Sequence, residues 1–412
     1  MDNKKIVIYG GGTVSHLRNH LALCAPAYGS TAIKLAELAK IHIPKMVVDL
    51  KLTKMAGGST LETNQHIADD VDAVLKSDLT KVIIMSAALC DFDGQIGSCI
   101  SGKHAPRLNS RSLQEPIQLK TADKIINRIR QQRKDIFLVG FKTTTNKSPD
   151  EQYLEALNLC KKASCNLVVA NDTLTRYNMI VTPEESRYAT SDTHTRDQML
   201  EELMKMIFHR THLTFTRSTV IAGNPIPWNS DLIPNSLRDI VNYCIEQNAY
   251  KPFNGVTAGH FACKVNDNTF LTSIRKTNFN KLSEVGLVKI VTDGPDTVLA
   301  YGAKPSVGGQ SQRIVFRDHP DVDCIVHFHC PKKPLSQVPT VSQKEFECGS
   351  HECGNNTSKG LQKFGNLYAV YLDNHGPNIV FNRNINPQEV IEFIENNFDL
   401  VQKTGGFVSS HH

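Results

Sequence analysis

Lys5-Ile6-Val7-Ile8-Tyr9-Gly10-Gly11-Gly12-Thr13 is the stretch from which the architecture of the first half can be read. Apolar, β-branched residues closed off at once by glycines make a short strand buried on both faces. Such strands belong to parallel sheets covered by helices on each side. The chain beyond keeps the same rhythm. Helices are expected over 31–40, 64–76, 121–132, 149–162 and 195–209, with strands over 46–50, 82–86, 136–141 and 167–170. Alternation at these lengths predicts an α/β domain built on a doubly wound, Rossmann-like parallel sheet.

Ligands of such sheets sit beyond the carboxyl ends of the strands. The segments expected there are Gly10-Gly11-Gly12-Thr13, Ser86-Ala87-Ala88-Leu89-Cys90-Asp91, Val139-Gly140-Phe141-Lys142 and Ala170-Asn171-Asp172. A glycine-rich turn after a first strand lets backbone N–H groups approach a phosphate. It also closes many first strands for steric reasons alone, and the full G-x-G-x-x-G spacing is absent.

Taken in order, these four segments resemble the phosphopantothenate–cysteine ligase family of coenzyme A biosynthesis, over about Asn3 to Arg210. The resemblance implies a site for CTP or ATP with magnesium (Mg2+), with Asp91, Phe141 and Asn171 near it and Gly10, Gly11 and Gly12 close to the phosphates. The family carries an Asn-x-Ser-Ser-Gly loop before its first helix. Here Ala22 stands at the asparagine by spacing, with Asn19 or His20 as the nearest substitutes. Lys103, Arg107 and Arg111 occupy a basic loop; they are either cations for a triphosphate or a solvated surface. Lys103 and Arg111 are the catalytic candidates among them.

In the second half, Asp318-His319-Pro320-Asp321-Val322-Asp323-Cys324-Ile325-Val326-His327-Phe328-His329-Cys330-Pro331 carries the chemistry. Residues 324–328 read as a strand, in which alternate side chains share a face, so His327 and His329 point the same way. That is a two-imidazole clamp for a borderline metal such as zinc, or else a pair of ordinary sheet histidines. A third ligand, His375, closes the apolar run 367–372 and is followed by Gly376. Cys348, His351 and Cys353 have a spacing that a second metal could use; alternatively their loop covers the mouth of the first site.

Arg313-Ile314-Val315-Phe316, Asp318-His319-Pro320-Asp321-Val322 and His327-x-His329, with His375-Gly376 and the upstream Gly255-Val256-Thr257-Ala258-Gly259-His260, resemble the class II aldolase/adducin family from about Phe253 to Phe381. The resemblance implies an α/β/α class II aldolase-like domain holding zinc (Zn2+) on His327, His329 and His375. There the metal acts as a Lewis acid, polarising a substrate carbonyl or hydroxyl so that an enediolate can form. Two positions depart from the pattern. Gly308 stands where the acidic acid/base is expected, and His260 replaces the asparagine of the glycine loop. Glu345, Glu347 and Glu352 are the nearest replacement acids, and Glu347 is the candidate carried forward.

At 412 residues the chain is too long for one core. Domains are expected over 1–212 and 234–412, joined by a turn-rich linker at 213–233. A net charge of +5, with acids and bases interspersed, lacks the basic stripe of a nucleic-acid binder. Eleven irregularly spaced cysteines fit reduced thiols, and no apolar run approaches the ~20 residues of a membrane span, so a cytoplasmic protein is expected. Its partners are expected to be small phosphorylated or carboxylate metabolites, with neither nucleic acid nor membrane, and the protein itself a homo-oligomer. Together the two resemblances imply a bifunctional enzyme: a nucleotide-dependent ligase fused to a zinc-dependent carbon–carbon lyase. The alternatives are a single metal-dependent lyase or epimerase with a regulatory nucleotide-binding domain, and a non-catalytic adducin-like binding protein.

Overall fold

The structure, a computed structural model, describes residues 3–111, 115–189, 196–307 and 309–405. The chain divides into two compact units: Met1–Pro183 with Tyr188–Phe208, and Glu184–Arg187 with His209–His412.

The first unit opens with β1 (Lys5–Gly10), a β2 (Val14–Arg18)–β3 (Leu21–Cys24) hairpin, α1 (Ser30–His42) and β4 (Val47–Leu52). There follow α2 (Asn64–Leu75), β5 (Thr80–Met85), a β6 (Phe92–Ile96)–β7 (Ile117–Thr121) hairpin and α3 (Ile126–Gln132). The rest is β8 (Phe137–Thr144), α4 (Pro149–Ala163), β9 (Leu167–Asp172), β10 (Asn178–Val181), β11 (Arg187–Ala189) and α5 (Arg196–Arg210). The sheet runs β11-β10-β9-β8-β5-β1-β4. Its central strands are parallel and β10 lies antiparallel on β9. Alternate strand residues Ile6, Ile8, Val82, Ile84, Val139 and Val169 face Leu35 of α1 and Leu203 of α5. Each such aliphatic side chain contributes about 1.5–3 kcal/mol by leaving water. The other face receives α4, packed on β8 and β9. Helix α4 starts where its local chemistry dictates: Ser148 Oγ accepts from the Glu151 N–H, the Glu151 carboxylate accepts from the Ser148 N–H, and Pro149 sits in the first turn.

The doubly wound parallel sheet expected from the alternation is the fold observed. The two hairpins were not expected. Residues 117–121, which reach the start of the helix read over 121–132, alternate along β7 and pair with β6, so that helix begins only at Ile126.

The second unit begins with β12 (Arg217–Ile221), α6 (Asn235–Glu246), the short pair β13 (Pro252–Phe253) and β14 (Val256–Thr257), then β15 (His260–Asn266) and β16 (Thr269–Ser273). It continues through α7 (Leu282–Val285), β17 (Leu287–Thr292), β18 (Thr297–Tyr301), α8 (Gln310–Asp318), β19 (Cys324–His327) and β20 (Thr340–Val341). It ends with α9 (His351–Gly360), β21 (Gln362–Phe364), β22 (Leu367–Leu372), β23 (Gly376–Phe381) and α10 (Pro387–Asn397). One sheet, ordered β12-β18-β17-β16-β15-β19-β23-β22-β20 with β21 on β22, holds all of these strands except the separate β13–β14 pair. Cys324 and Val326 pack with Ile240 of α6 and Ile394 of α10, whereas Ile325 packs with Val315 and Phe316 of α8. Helices therefore cover both faces, the α/β/α layering expected of the second half.

Among the described residues no helix is long and apolar enough to cross a membrane.

Gly12 tests the packing of the first turn. A Cβ there would lie 1.8 Å from the Ala25 carbonyl oxygen, while one at Gly102 would meet nothing within 4 Å. Gly12→Ala should lower stability by about 1–3 kcal/mol in urea unfolding, and Gly102→Ala should stay within about 0.5 kcal/mol.

Candidate functional site

The period-2 rule that sends Cys324 and Val326 to one face sends Ile325 and His327 to the other. His327 ends β19, between its partners His260 on β15 and Asn378 on β23. His329 lies just beyond, and its ring centroid is 5.1 Å from that of His327. His375 arrives from the turn between β22 and β23. That turn comes close because Gly376, at φ 153°, has no side chain; a Cβ there would stand 2.1 Å from the Phe328 carbonyl oxygen. One candidate ligand atom from each of His327, His329 and His375 can be chosen so that all lie within 4.8 Å of one another. Among the described residues this is the only such group of three or more histidines, cysteines or carboxylates.

All three histidines are buried, and so is His260. Burial, followed by repulsion from His260 and His329, holds His327 well below the usual imidazole range; its hydrogen bond to the Pro377 carbonyl pulls only weakly the other way. Burial and then the neighbouring histidines do the same to His375. Burial, then His329, pushes His260 down to about 3. These imidazoles are therefore neutral, the state in which they bind metals.

His327 Nδ1–H donates to the Pro377 carbonyl at 2.7 Å, which leaves a bare Nε2 lone pair. That Nε2 lies 3.2 Å from His375 Nε2. Two nitrogens on a tetrahedral zinc, with bonds of about 2.0–2.1 Å, stand about 3.3 Å apart. The donor set fits a borderline divalent metal.

His260 faces the same volume, its ring 4.9 Å from His327 and its Nδ1 accepting from Gln312 Nε2 at 2.8 Å. Two of the replacement acids named from sequence are engaged elsewhere. Glu345 accepts from Ser342 Oγ, and Glu352 accepts from the N–H and Oγ1 of Thr214. Glu347 is not in the histidine group; its carbonyl accepts from the Ser350 N–H and hydroxyl ahead of α9. Gly308 lies outside the described residues. A different carboxylate reaches the site. Glu185, in the short segment Glu184–Arg187 of this same unit, places Oε2 3.5 Å from His329 Nδ1 and 2.7 Å from Lys403 Nζ. Nothing in the local sequence marks it. Cys348 and Cys353 hydrogen-bond through their sulfurs, which with burial raises the Cys348 thiol. His351 turns instead toward Thr216 and Asp296, so those three side chains do not form a second cluster.

In the first unit the chain switches sides of the sheet at β1 and β5, and their carboxyl ends carry the expected segments. Gly12 and Thr13 donate their N–H groups to the Ala27 and Ala88 carbonyls, and the Gly11 carbonyl accepts from the Ala88 N–H. A Cβ on Gly10 would overlap Ala32 of α1 at 2.2 Å. This turn serves packing as well as any ligand. Asp91 pairs with Lys124, both exposed. Asn171, the last residue but one of β9, accepts from Thr143 Oγ1 at 3.1 Å, while Phe141 packs at the margin of the apolar core. Lys103 lies 2.8 Å from Glu62, beside Lys54 and His16, and its hydrogen bond lowers the Glu62 carboxyl. Arg111 is exposed in the same loop. Ala22 sits in β3 opposite His16, so a hairpin stands where an asparagine loop was expected, and Asn19 is turned to the Lys103 carbonyl.

Residues 1–210, about half of the chain, match the family model described as the DNA/pantothenate metabolism flavoprotein C-terminal domain, and the chain belongs to that family. Residues 238–386 match the family model described as the class II aldolase and adducin N-terminal domain. Among curated proteins it is similar to the coenzyme A biosynthesis bifunctional protein CoaBC of Thermococcus kodakarensis, 25% identical over 177 residues. That match covers 42% of this chain and 42% of the relative. Of solved structures, the DNA/pantothenate metabolism flavoprotein of Streptococcus pneumoniae aligns at 18% identity and a TM-score of 0.43, over 50% of this chain and 98% of that one. The L-fuculose-1-phosphate aldolase of Thermus thermophilus aligns at 19% identity and a TM-score of 0.29, over 37% of this chain and 80% of that one.

Arg210 and Glu184 form an ion pair at 2.6 Å with both side chains fully buried. Arg210→Met leaves that carboxylate without its guanidinium in an apolar setting and should cost about 3–5 kcal/mol in denaturant unfolding. The double variant Arg210→Met/Glu184→Leu should recover most of that loss.

Proposed function

We propose that the chain is a bifunctional enzyme acting on small phosphorylated or carboxylate metabolites. Residues 1–212 would carry a CTP- or ATP-dependent ligase activity of the phosphopantothenate–cysteine kind, and residues 234–412 a zinc-dependent carbon–carbon lyase activity. The observation that carries the second part is the convergence of three buried imidazoles, His327, His329 and His375, on one small volume, with His327 and His375 held neutral. A zinc ion held there would supply a Lewis acid with a coordination position left for substrate. The chain's own contribution is to fix each ring: His327 through Pro377, His375 through its glycine-bounded turn, and His260 through Gln312. A purely structural module has no use for three such rings in one place.

The first part rests on family membership and on the placement of Asp91, Phe141 and Asn171 at the carboxyl ends of the sheet or in the loops that follow, with Mg2+ offsetting the triphosphate charge. A second reading is favoured by the β2–β3 hairpin: with Ala22 in a strand, the first unit binds nucleotide as a regulatory module and the metal site holds the only activity. Eleven cysteines, none of them in a disulfide, suit the reducing cytoplasm.

Elemental analysis of the full-length protein should find about one divalent metal per chain, zinc foremost. His327→Ala should lose it; equal metal content in both proteins would remove the site.

Calorimetric titration with CTP and ATP in the presence of magnesium should show binding of one of them at millimolar concentration or below. Asp91→Ala should weaken it more than Asp69→Ala on the exposed face of α2. Release of pyrophosphate that requires both a carboxylate and an amine would support the ligase, and binding without turnover of any pair would support the regulatory reading.

A further inference from the structure

Glu184–Arg187 is a short segment tied to the histidine site by three consecutive residues. Glu184 meets Arg210, Glu185 meets His329 and Lys403, and Ser186 Oγ donates to the Asn374 carbonyl at 2.5 Å, next to His375. Lys403 is held from the other side, because the neighbouring Thr404 N–H donates to the His329 carbonyl at 3.0 Å. Both charged side chains, Glu185 and Lys403, are only 3% exposed. Glu185 also takes a left-handed backbone conformation, φ 68°, that a residue with a Cβ rarely adopts. A buried carboxylate normally lowers stability unless its geometry and partners offset the lost hydration. This one is aimed at a ring nitrogen of a histidine in the cluster.

We propose that Glu185 is the positioning carboxylate of the metal site. Its carboxylate faces His329 Nδ1 and is placed to accept from the Nδ1–H once metal binds, fixing the tautomer in which the Nε2 lone pair faces the centre shared with His327 and His375. Lys403 holds the carboxylate in place and offsets its charge. A neutral imidazole carries one N–H, so a carboxylate at Nδ1 leaves Nε2 as the donor and raises its basicity. Histidines that ligate metals commonly hand their second N–H to such a partner. The 3.5 Å separation is longer than a formed hydrogen bond, and the contact is expected to close to one when a cation draws on Nε2. The site thereby obtains an acidic group from a part of the chain where the class II pattern places none.

This inference rests on the reading of the triad as a divalent-metal site, and the test separates the two. Full-length protein is stripped with chelator, and zinc affinity is measured by competition with a chromophoric chelator. Wild type should bind. Glu185→Gln, nearly isosteric, should weaken zinc about 10- to 100-fold. Lys403→Met should bind zinc several-fold more tightly, because a carboxylate stripped of its counter-charge pulls harder on the dication. An ion pair with a merely structural role predicts something else: both variants lower the melting temperature of the metal-free protein and neither moves zinc affinity. Unchanged affinity in Glu185→Gln alongside binding by wild type overturns the role of Glu185 and leaves the triad standing. Absence of zinc binding by wild type overturns both. Should Glu185→Gln fail to fold, Lys403→Met decides: tighter binding supports the role, and unchanged or weaker binding overturns it.

Discussion

Burial of four imidazoles in one small volume governs the second unit. Protonation of His260, His327 or His375 would place a cation in an apolar setting beside the other rings. Those three rings stay neutral, and neutral imidazoles expose lone pairs. The sheet dictates which ones. Register pairs His327 with His260 on one side and with Asn378 on the other, so its backbone has no freedom to slip without turning the ring to the opposite face. The Pro377 carbonyl then removes Nδ1 from play. What remains is a set of donors whose direction is decided largely by strands and their ends, and strands position side chains more exactly than loops do.

The first unit obeys a different constraint. Its glycine-rich turn has to bring β1 against α1 and against Ala88 in the loop after β5, and backbone hydrogen bonds are the means. Amides used this way are not available to a phosphate. The same glycines therefore read two ways from sequence, as cradle and as packing device, and the hydrogen bonds favour packing for Gly12 and Thr13. Charge on the neighbouring surface is also internally matched: Lys103, Lys54 and His16 gather around Glu62. A triphosphate approaching that loop would compete with a carboxylate already in place.

Much of this architecture was legible in the sequence because its signals are local. Buried strands are marked by continuous apolar runs such as 6–9 and 167–170, and α4 announces itself with Ser148, Pro149 and Glu151. The same-face geometry of His327 and His329 follows from a period of two, and the His375-Gly376 turn from a glycine with no room for a side chain. The hairpins were not legible. Leu21–Cys24 and Ile117–Thr121 are short, largely exposed and stabilised only by their partners, so nothing in their own residues separates them from loop or helix. Gln312 at His260 and Glu185 at His329 were equally hidden, for these contacts join residues far apart in the chain and no motif links them.

Where the acidic group of the histidine site comes from has a consequence for how the chain can be divided. Sequence composition puts a natural cut in the turn-rich stretch 213–233, yet Glu184–Arg187 and Arg210 belong with the residues that follow that stretch. A fragment beginning at residue 234 would lack the carboxylate at His329, and Lys403 would lose the opposite charge that stands 2.7 Å from it. A buried ammonium stripped of that carboxylate, next to a cluster of imidazoles, works against a dication by repulsion, quite apart from any loss of folding free energy. Weak metal binding by such a fragment would thus report the cut rather than the site. The histidines identify where the metal would sit, but the electrostatics of that place depend on residues from well outside the aldolase-like sequence.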